Sequence, residues 1–567
     1  MDCNEIIQSN DYLDILVALD ELQESPAEPE CIQKISDSYE IWYYNRANAL
    51  PLTFENYTYS AIPNCFGLLD SSALDASGIL QMQNQPTLSL KGQGVIVGFV
   101  DTGIDYTNDR FRNTDGTTRI LAMWDQGQEA LSDSTRMHPD VFQYGTEYRA
   151  ADINRALQSE QPDAIVPERD ENGHGTYLAS IACGSQDQAS DFTGAAPLSD
   201  ILVVKLKPAK QYLKDFYFIP ETALVYQEND IMAAIAWMEV FAERANKPLV
   251  ICIGIGTNNG SHSGSSILSD YLNQVGSLRR RAIVVATGNE ANARHHFRGV
   301  AESMNQPIAI EINVEQNMRG FYVELWANAP EIFAVSLRSP TGEVVPKIIP
   351  RSGGHQEYDF VFEDTDIVVD YRIVGRTRAD QLIYIQFRNA AKGIWQVNVF
   401  PESVVTGSFN MWLPMRGMLE HDVFFLESSP EITLTPPSAA RIPISVGGYD
   451  HRSGGLYLDS GRGFTAAGEV KPSFVAPAVS IQGSGLRNNY VENTGTSAAA
   501  AITAGACAQV MEWAVVRGRD PSLNTVEIKN LLIRGCVRNP ELSYPNSSWG
   551  YGKLNVFEAF GNIVGLG

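Results

Sequence analysis

Nearly unbroken apolar runs recur along the chain at residues 95–100, 201–206, 249–255 and 282–285. Runs without polar alternation suit strands buried on both faces of a parallel sheet. Residues 229–245 carry helical spacing between two of these runs, so strands alternate with helices and a doubly wound α/β sheet is predicted. From about 306 to 413 the texture changes. Short β-rich runs follow one another at 307–314, 321–327, 333–337, 358–362, 367–374, 382–387, 394–400 and 408–413, with no helical pattern between them. About eight strands of alternating polarity predict a separate antiparallel sandwich inserted into the α/β domain, because α/β texture resumes near residue 442.

Residues 1–59 form a third region. Residues 12–19 read as a strand, 31–46 as a helix and 52–59 as an extended aromatic run, with a Glu- and Pro-rich loop at 24–30. This predicts a small α+β unit near the lower size limit for standing alone. The expected layout is 1–59, then 60–303 with 420–567 as one α/β domain, and 304–419 as the inserted sandwich.

Charge narrows the functional classes. Asp and Glu total 67 against 42 Lys and Arg, giving a net charge of -25, which argues against nucleic acid or an anionic membrane as partner. The seven cysteines are scattered and never spaced as C-x-x-C, so neither a disulfide framework nor a zinc site is suggested. No dense Asp/Asn loop names a calcium site, and no metal or cofactor is expected. The start, Met1-Asp2-Cys3-Asn4-Glu5, is acidic where a classical export signal has basic residues. Residues 498–516 approach membrane-spanning length, but Thr503, Gln509 and Glu512 interrupt them, so a buried helix of a large domain is expected and no membrane span.

Four short stretches carry candidate chemistry. Asp101 ends the first apolar run, and a carboxylate at the C-terminal end of a parallel strand is where open α/β sheets place their sites. His174 stands between glycines in Asn172-Gly173-His174-Gly175-Thr176 and opens a helical stretch. Asn289 follows the run at 282–285 in Thr287-Gly288-Asn289. Ser497, in Gly495-Thr496-Ser497, precedes an alanine run that starts a helix, whose free N–H groups and dipole favour an anion. Singly, each has a plainer reading: a capping Asp or Ser, a structural His, a turn Asn. Residues 107–170 read as polar and irregular, without chemistry.

Together, and in this order, the four segments resemble the subtilisin-like serine proteases, whose triad runs Asp, His, Ser. Lys471-Pro472-Ser473-Phe474-Val475-Ala476-Pro477 is similar to that family's approach to its nucleophile. The N-terminal unit, the inserted sandwich and Gly495-Thr496-Ser497-Ala498-Ala499-Ala500-Ala501 are together similar to the clostridial germination-specific Csp proteases. One departure is that Ala498 and Ala501 stand where Met and Pro usually follow the serine.

The resemblance implies a serine endopeptidase of subtilisin-like fold, with a jelly-roll-like insert. In it Ser497 attacks, His174 shuttles the proton, Asp101 orients the imidazole, and Asn289 with the Ser497 N–H binds the oxyanion. Substrate would pair as an added strand with Gly254, Ile255 and Gly256. Residues 1–59 resemble a propeptide that folds the enzyme and occupies its cleft, with self-cleavage expected near Tyr59 and Ser60. The implied substrate is the proenzyme of a spore cortex hydrolase, and a pseudoprotease of the Csp group is an implied partner. The implied location is the spore cortex or coat region after synthesis in the mother-cell cytoplasm. The alternative is a pseudoprotease that binds a germinant or partner. A carbohydrate platform of Trp326, Tyr371, Trp395 and Trp412 is a third reading for the sandwich, but core packing accounts for most of these aromatics and the favoured use of the insert is to rigidify the protease by packing against it.

Overall fold

The computed structural model describes residue 6, residues 12–18, 29–34 and 39–49, and residues 72–564 apart from 129–138, 140–141, 143, 305, 352–353 and 375–378. The chain divides into two compact units, Met1–Leu69 and Asp70–Gly567. In the first, strands β1 (Tyr12–Ala18), β2 (Cys31–Lys34) and β3 (Tyr39–Asn45) form an antiparallel sheet of order β1-β3-β2. The helix expected at 31–46 is thus two strands. Tyr39-Glu40-Ile41-Trp42-Tyr43-Tyr44 is dense in aromatic residues, which fit a pleated, half-buried surface better than a helix, and Tyr43 and Tyr44 are buried. Cys31 is disulfide-bonded, whereas Cys183, Cys252, Cys507 and Cys536 are buried free thiols. The extended run expected at 52–59, and with it Tyr59 and Ser60, lies outside the described residues.

The second unit is built on an eight-stranded sheet. Its strands are β4 (Ile96–Asp101), β5 (Ile120–Asp125), β6 (Thr146–Arg149), β7 (Asp200–Lys205), β8 (Leu249–Ile253) and β9 (Arg281–Ala286), joined late in the chain by Ile444–Tyr449 and Phe474–Pro477. The pairing is parallel throughout, except that β6 runs antiparallel at the edge beside β5. Residues 107–170 are therefore not irregular: they supply β5, β6 and the helix Ala150–Leu157. The order places β9, β8 and β4 side by side, so three loops carrying candidate chemistry leave one carboxyl edge together.

The helix Thr496–Met511 lies against that sheet and against the helix His174–Cys183. With the π-helical turn Glu512–Val516 that continues it, it is the one described helix long and apolar enough to cross a membrane, yet it is mostly buried in the core, and Thr503 and Gln509 find internal partners. Thr503 Oγ1 donates to the Ala499 carbonyl at 2.9 Å, and Gln509 Nε2 donates to Ala195 O at 3.0 Å. Just beyond its end, Glu512 Oε2 accepts the N–H groups of Lys91, Gly92 and Gln93 at 2.8, 2.8 and 3.1 Å, fixing the entry to β4. Small alanine side chains let this helix sit close to its neighbours.

Between β9 and Ile444–Tyr449 the chain builds two antiparallel sheets. The strands are β10 (His296–Val300), β11 (Ile308–Val314), β12 (Met318–Ala327), β13 (Ile332–Arg338), β14 (Val344–Ile348), β15 (His355–Phe360), β16 (Thr365–Val374), β17 (Asp380–Ala390), β18 (Gly393–Ser403), β19 (Ser408–Trp412) and β20 (Val423–Phe425). One sheet runs β10-β19-β12-β17-β16-β15 and the other β14-β13-β18-β11-β20. They enclose a single apolar core, with Phe321 stacked on Phe387 at 4.4 Å. β10 and β20 lie outside the 304–419 expected for the insert. Tyr371, Trp395 and Trp412 are 2%, 0% and 2% exposed and Trp326 is 8% exposed, so these aromatics are packing and not a surface platform.

Candidate active site

Asp101 is the last residue of β4, His174 the first of the helix His174–Cys183, and Ser497 the second of the helix Thr496–Met511. The structure brings all three together. His174 Nδ1 lies 2.7 Å from Asp101 Oδ1, and His174 Nε2 lies 3.3 Å from Ser497 Oγ. The close pairing is possible because Gly175 has no side chain: a Cβ there would stand 2.2 Å from the Gly103 carbonyl oxygen. Ser497 is not the helix cap. That position is Gly495, which makes no side-chain cap, so the serine hydroxyl is left to face the imidazole.

Asp170 holds this arrangement, and the sequence did not single it out. Its Oδ1 accepts from Thr102 Oγ1 at 2.8 Å and from the N–H groups of Asn172 and Gly173 at 3.1 and 2.8 Å. Its Oδ2 accepts from Thr176 N and Oγ1 at 2.9 and 2.8 Å. Thr102 Oγ1 in turn accepts Gly175 N–H at 2.9 Å. One buried carboxylate thus ties the turn after β4 to the turn bearing His174. The available signal was Asp170-Glu171-Asn172-Gly173 directly ahead of a helix, a turn whose Asp bonds its own downstream backbone.

Electrostatics favour a basic imidazole. Burial opposes the charged form of His174, but the Asp101 carboxylate, through charge and hydrogen bond, with Asp170 adding to it, raises the group above its ordinary value. Glu168 lies behind Gly103, and burial pushes its carboxyl well above the usual range.

Asn289 leaves the end of β9. Its Oδ1 accepts Thr496 N–H at 3.0 Å and Thr496 Oγ1 at 3.2 Å, which turns Nδ2 toward the serine. The Cβ that Gly495 lacks would stand 3.4 Å from both Asn289 Nδ2 and Ser497 Oγ. Gly254, just past β8, is confined in the same way: its Cβ would lie 3.3 Å from His174 Cε1 and from Ser497 Cβ, and 2.6 Å from Leu178 Cδ1. Gly254 therefore borders the serine, and Ile255 and Gly256, also half-buried, follow it. Next to Asn289, Glu290 Oε2 meets His295 Nδ1 at 2.7 Å and accepts Asn258 Nδ2 at 3.2 Å, while its Oε1 accepts Arg416 N–H at 3.1 Å. This carboxylate, also unforeseen, links the Asn289 loop, the loop after β8 and the β19–β20 connection of the sandwich.

A hydroxyl, an imidazole, a buried carboxylate and an amide donor at a helix N-terminus are the parts that nucleophilic acyl transfer requires. Among the described residues no group of three or more His, Cys, Asp or Glu is arranged to hold a metal ion.

Comparison with known proteins agrees with this geometry. The chain is similar in structure to the Clostridium perfringens CspB protease, with a TM-score of 0.76, 31% identity, and coverage of 87% of this chain and 97% of that one. A stretch of 131 residues is 30% identical to the subtilisin-like protease SBT2.2 of Arabidopsis thaliana, spanning 20% of this chain and only 15% of that protein. The subtilase family model matches residues 92–335 and 428–552. With sheet and family match in agreement, the chain belongs to the subtilase family of subtilisin-like serine proteases.

Proposed function

We propose that the chain is a serine endopeptidase with Asp101, His174 and Ser497 as its triad. The carrying observation is the unbroken contact from Asp101 Oδ1 through the imidazole to Ser497 Oγ. Ser497 Oγ attacks the peptide carbonyl while His174 Nε2 takes its proton and later gives it to the leaving amine. Asp101 fixes the Nδ1–H tautomer and stabilises the imidazolium. Asn289 Nδ2 and the Ser497 N–H, which has no intrahelical acceptor, receive the oxyanion. Substrate lies extended along Gly254, Ile255 and Gly256.

In this reading residues 1–59 are a propeptide that occupies the cleft and is cut by the enzyme itself near Tyr59 and Ser60. The physiological substrate is the proenzyme of a cortex hydrolase, cleaved in the spore during germination, as the likeness to the Csp group suggests. The intact mass of the purified protein tests the first step. Wild type should run as two fragments and Ser497→Ala as one uncut chain. Wild type that remains uncut, and fails to cut a cortex-hydrolase proenzyme, would point instead to a partner-binding regulator.

A further inference from the structure

The chain contains two Asn-Gly dipeptides, Asn172-Gly173 and Asn259-Gly260. Such a pair is chemically labile, because glycine has no side chain to keep its backbone nitrogen away from the asparagine Cγ. Here both glycine N–H groups are held by a carboxyl group. Gly173 N–H donates to Asp170 Oδ1 at 2.8 Å, and Gly260 N–H donates to Glu324 Oε2 at 2.8 Å. The asparagine side chains are placed differently. Asn259 is half-buried, and its Oδ1 accepts from Thr257 Oγ1 at 3.0 Å and from Tyr322 Oη at 2.5 Å. Asn172 is exposed, and its Oδ1 accepts the His174 N–H at 3.3 Å. That N–H stands where an oxygen gaining negative charge needs a donor. At Asn172 the carbonyl is thus primed and solvent-facing, while the nitrogen that would attack it is restrained.

We propose that Asn172 is a deamidation site whose conversion Asp170 slows, and that its products disable the neighbouring His174. The Gly173 nitrogen bonds to Asn172 Cγ and the Cγ–Nδ2 bond breaks, the Gly173 proton leaving with the side-chain amine as ammonia. Solvent water then opens the cyclic imide at either carbonyl and gives aspartate or isoaspartate. The imide has no N–H for Asp170 to hold. Isoaspartate lengthens the main chain by one methylene between the Asp170 anchor and His174, and either acid brings a second carboxylate close to Asp170. A displacement of about 1 Å at the imidazole is worth about 10²-fold in rate. The loss of activity rests on the protease reading, whereas the conversion itself does not.

The test ages the purified full chain in mildly alkaline buffer and follows the amide-to-acid mass change at both sites by peptide mapping, with enzymatic methylation marking isoaspartate. Rates are read on Ser497→Ala, which cannot digest itself. Asn172 should convert ahead of Asn259 in the folded chain, and the two should convert alike in urea. Adding Asp170→Ala should speed Asn172 about 10- to 100-fold, the factor for giving up a hydrogen bond to a charged acceptor. Asn259 should keep its rate in that variant, and Asp170→Asn, which retains an acceptor, should fall between. In aged wild type, labelling by a simple fluorophosphonate should drop in step with the fraction converted at Asn172, whereas aged Asn172→Ser should label as it did when fresh. Fresh wild type that takes up no fluorophosphonate would sink the protease reading and leave the mapping to decide the site. Asn259 converting first, or both sites speeding together in Asp170→Ala, would overturn the assignment of Asn172 and its restraint. Labelling undiminished after conversion, or lost equally in Asn172→Ser, would overturn the effect on His174.

Discussion

Two histidines in the same domain are held in opposite ways. His174 has a carboxylate on one ring nitrogen and a hydroxyl on the other, and its side chain is 33% exposed. His262, on the loop after β8, has carbonyl oxygens on both: Leu434 O at 2.7 Å from Nδ1 and Asn258 O at 3.0 Å from Nε2. It is 1% exposed and stacks at 4.1 Å on Trp412, which also stacks with His296 at 4.9 Å. Burial pushes His262 down to about 4, and its two carbonyls pull the other way without prevailing. For His174 the Asp101 charge prevails over burial. What separates the two rings is the formal charge beside His174 together with its greater exposure, whereas a neutral His262 carries one N–H and donates to only one of its two carbonyls at a time.

Removing that charge should give the largest effect. Asp101→Asn keeps the shape but offers the ring an amide, and kcat on a peptide substrate should fall by about 10⁴-fold with the fold intact, as judged by unchanged thermal unfolding. His262→Gln, which alters a histidine bonded by carbonyls and not by a carboxylate, should leave kcat within a few-fold of wild type. Comparable losses in the two variants would erase the distinction drawn between them.

Asp170 comes next. Asp170→Ala frees the His174 turn from the Asp101 turn without touching the reacting atoms, so the expected loss is about 10²-fold in kcat/KM, the scale of a roughly 1 Å misplacement. A positioning role also predicts that Asp170→Asn recovers part of the loss, because an amide oxygen can still accept from the N–H groups of Asn172 and Gly173. Equal losses in both variants would mean that the negative charge of Asp170, which adds to the basicity of His174, outweighs its geometry.

The contrast between Asp101 and Asp170 also shows what a linear reading can reach. Asp101, His174, Asn289 and Ser497 sit in compact stretches whose glycines and helix starts are local signals, and buried strands such as β8 and β9 announce themselves by unbroken apolar runs. Asp170 matters because it bonds Thr102 across 68 positions. No spacing rule carries that information. The eight β-rich runs of the insert were legible from alternation, whereas β10 reads His-Phe-Arg-Gly-Val and becomes a strand only by pairing with β19. The helix expected at 31–46 failed because short apolar runs fit either period, and aromatic density had to arbitrate.

A smaller effect concerns the pH profile. Catalysis needs neutral His174, so with its pKa raised above the ordinary value the acid limb of kcat/KM should have its midpoint above pH 6.5. Replacing Asp101 by Asn should move that midpoint down, measured on the residual activity. A midpoint that stays fixed in the variant would assign the limb to some other group.

The mildest test reads stability. The unfolded chain protonates a histidine near 6.5, but folded His262 resists until about 4. Below 6.5 the unfolded state therefore binds the extra proton, and the stability present above 6.5 is lost progressively as pH falls toward 4. Between pH 6.5 and 5 this one group should cost about 2 kcal/mol, at roughly 1.4 kcal/mol per pH unit. Burial pushes His296 down to about 3, so it adds a loss of the same sign in the same window. His262→Phe, which keeps an aromatic face against Trp412, should be less stable at neutral pH because the Leu434 and Asn258 carbonyls lose their partner. Denaturant unfolding at several pH values should nonetheless give it a flatter decline between 6.5 and 5 than wild type shows. Parallel declines would mean that folded His262 accepts its proton as readily as the unfolded chain does, its two carbonyls then outweighing burial just as Asp101 does for His174.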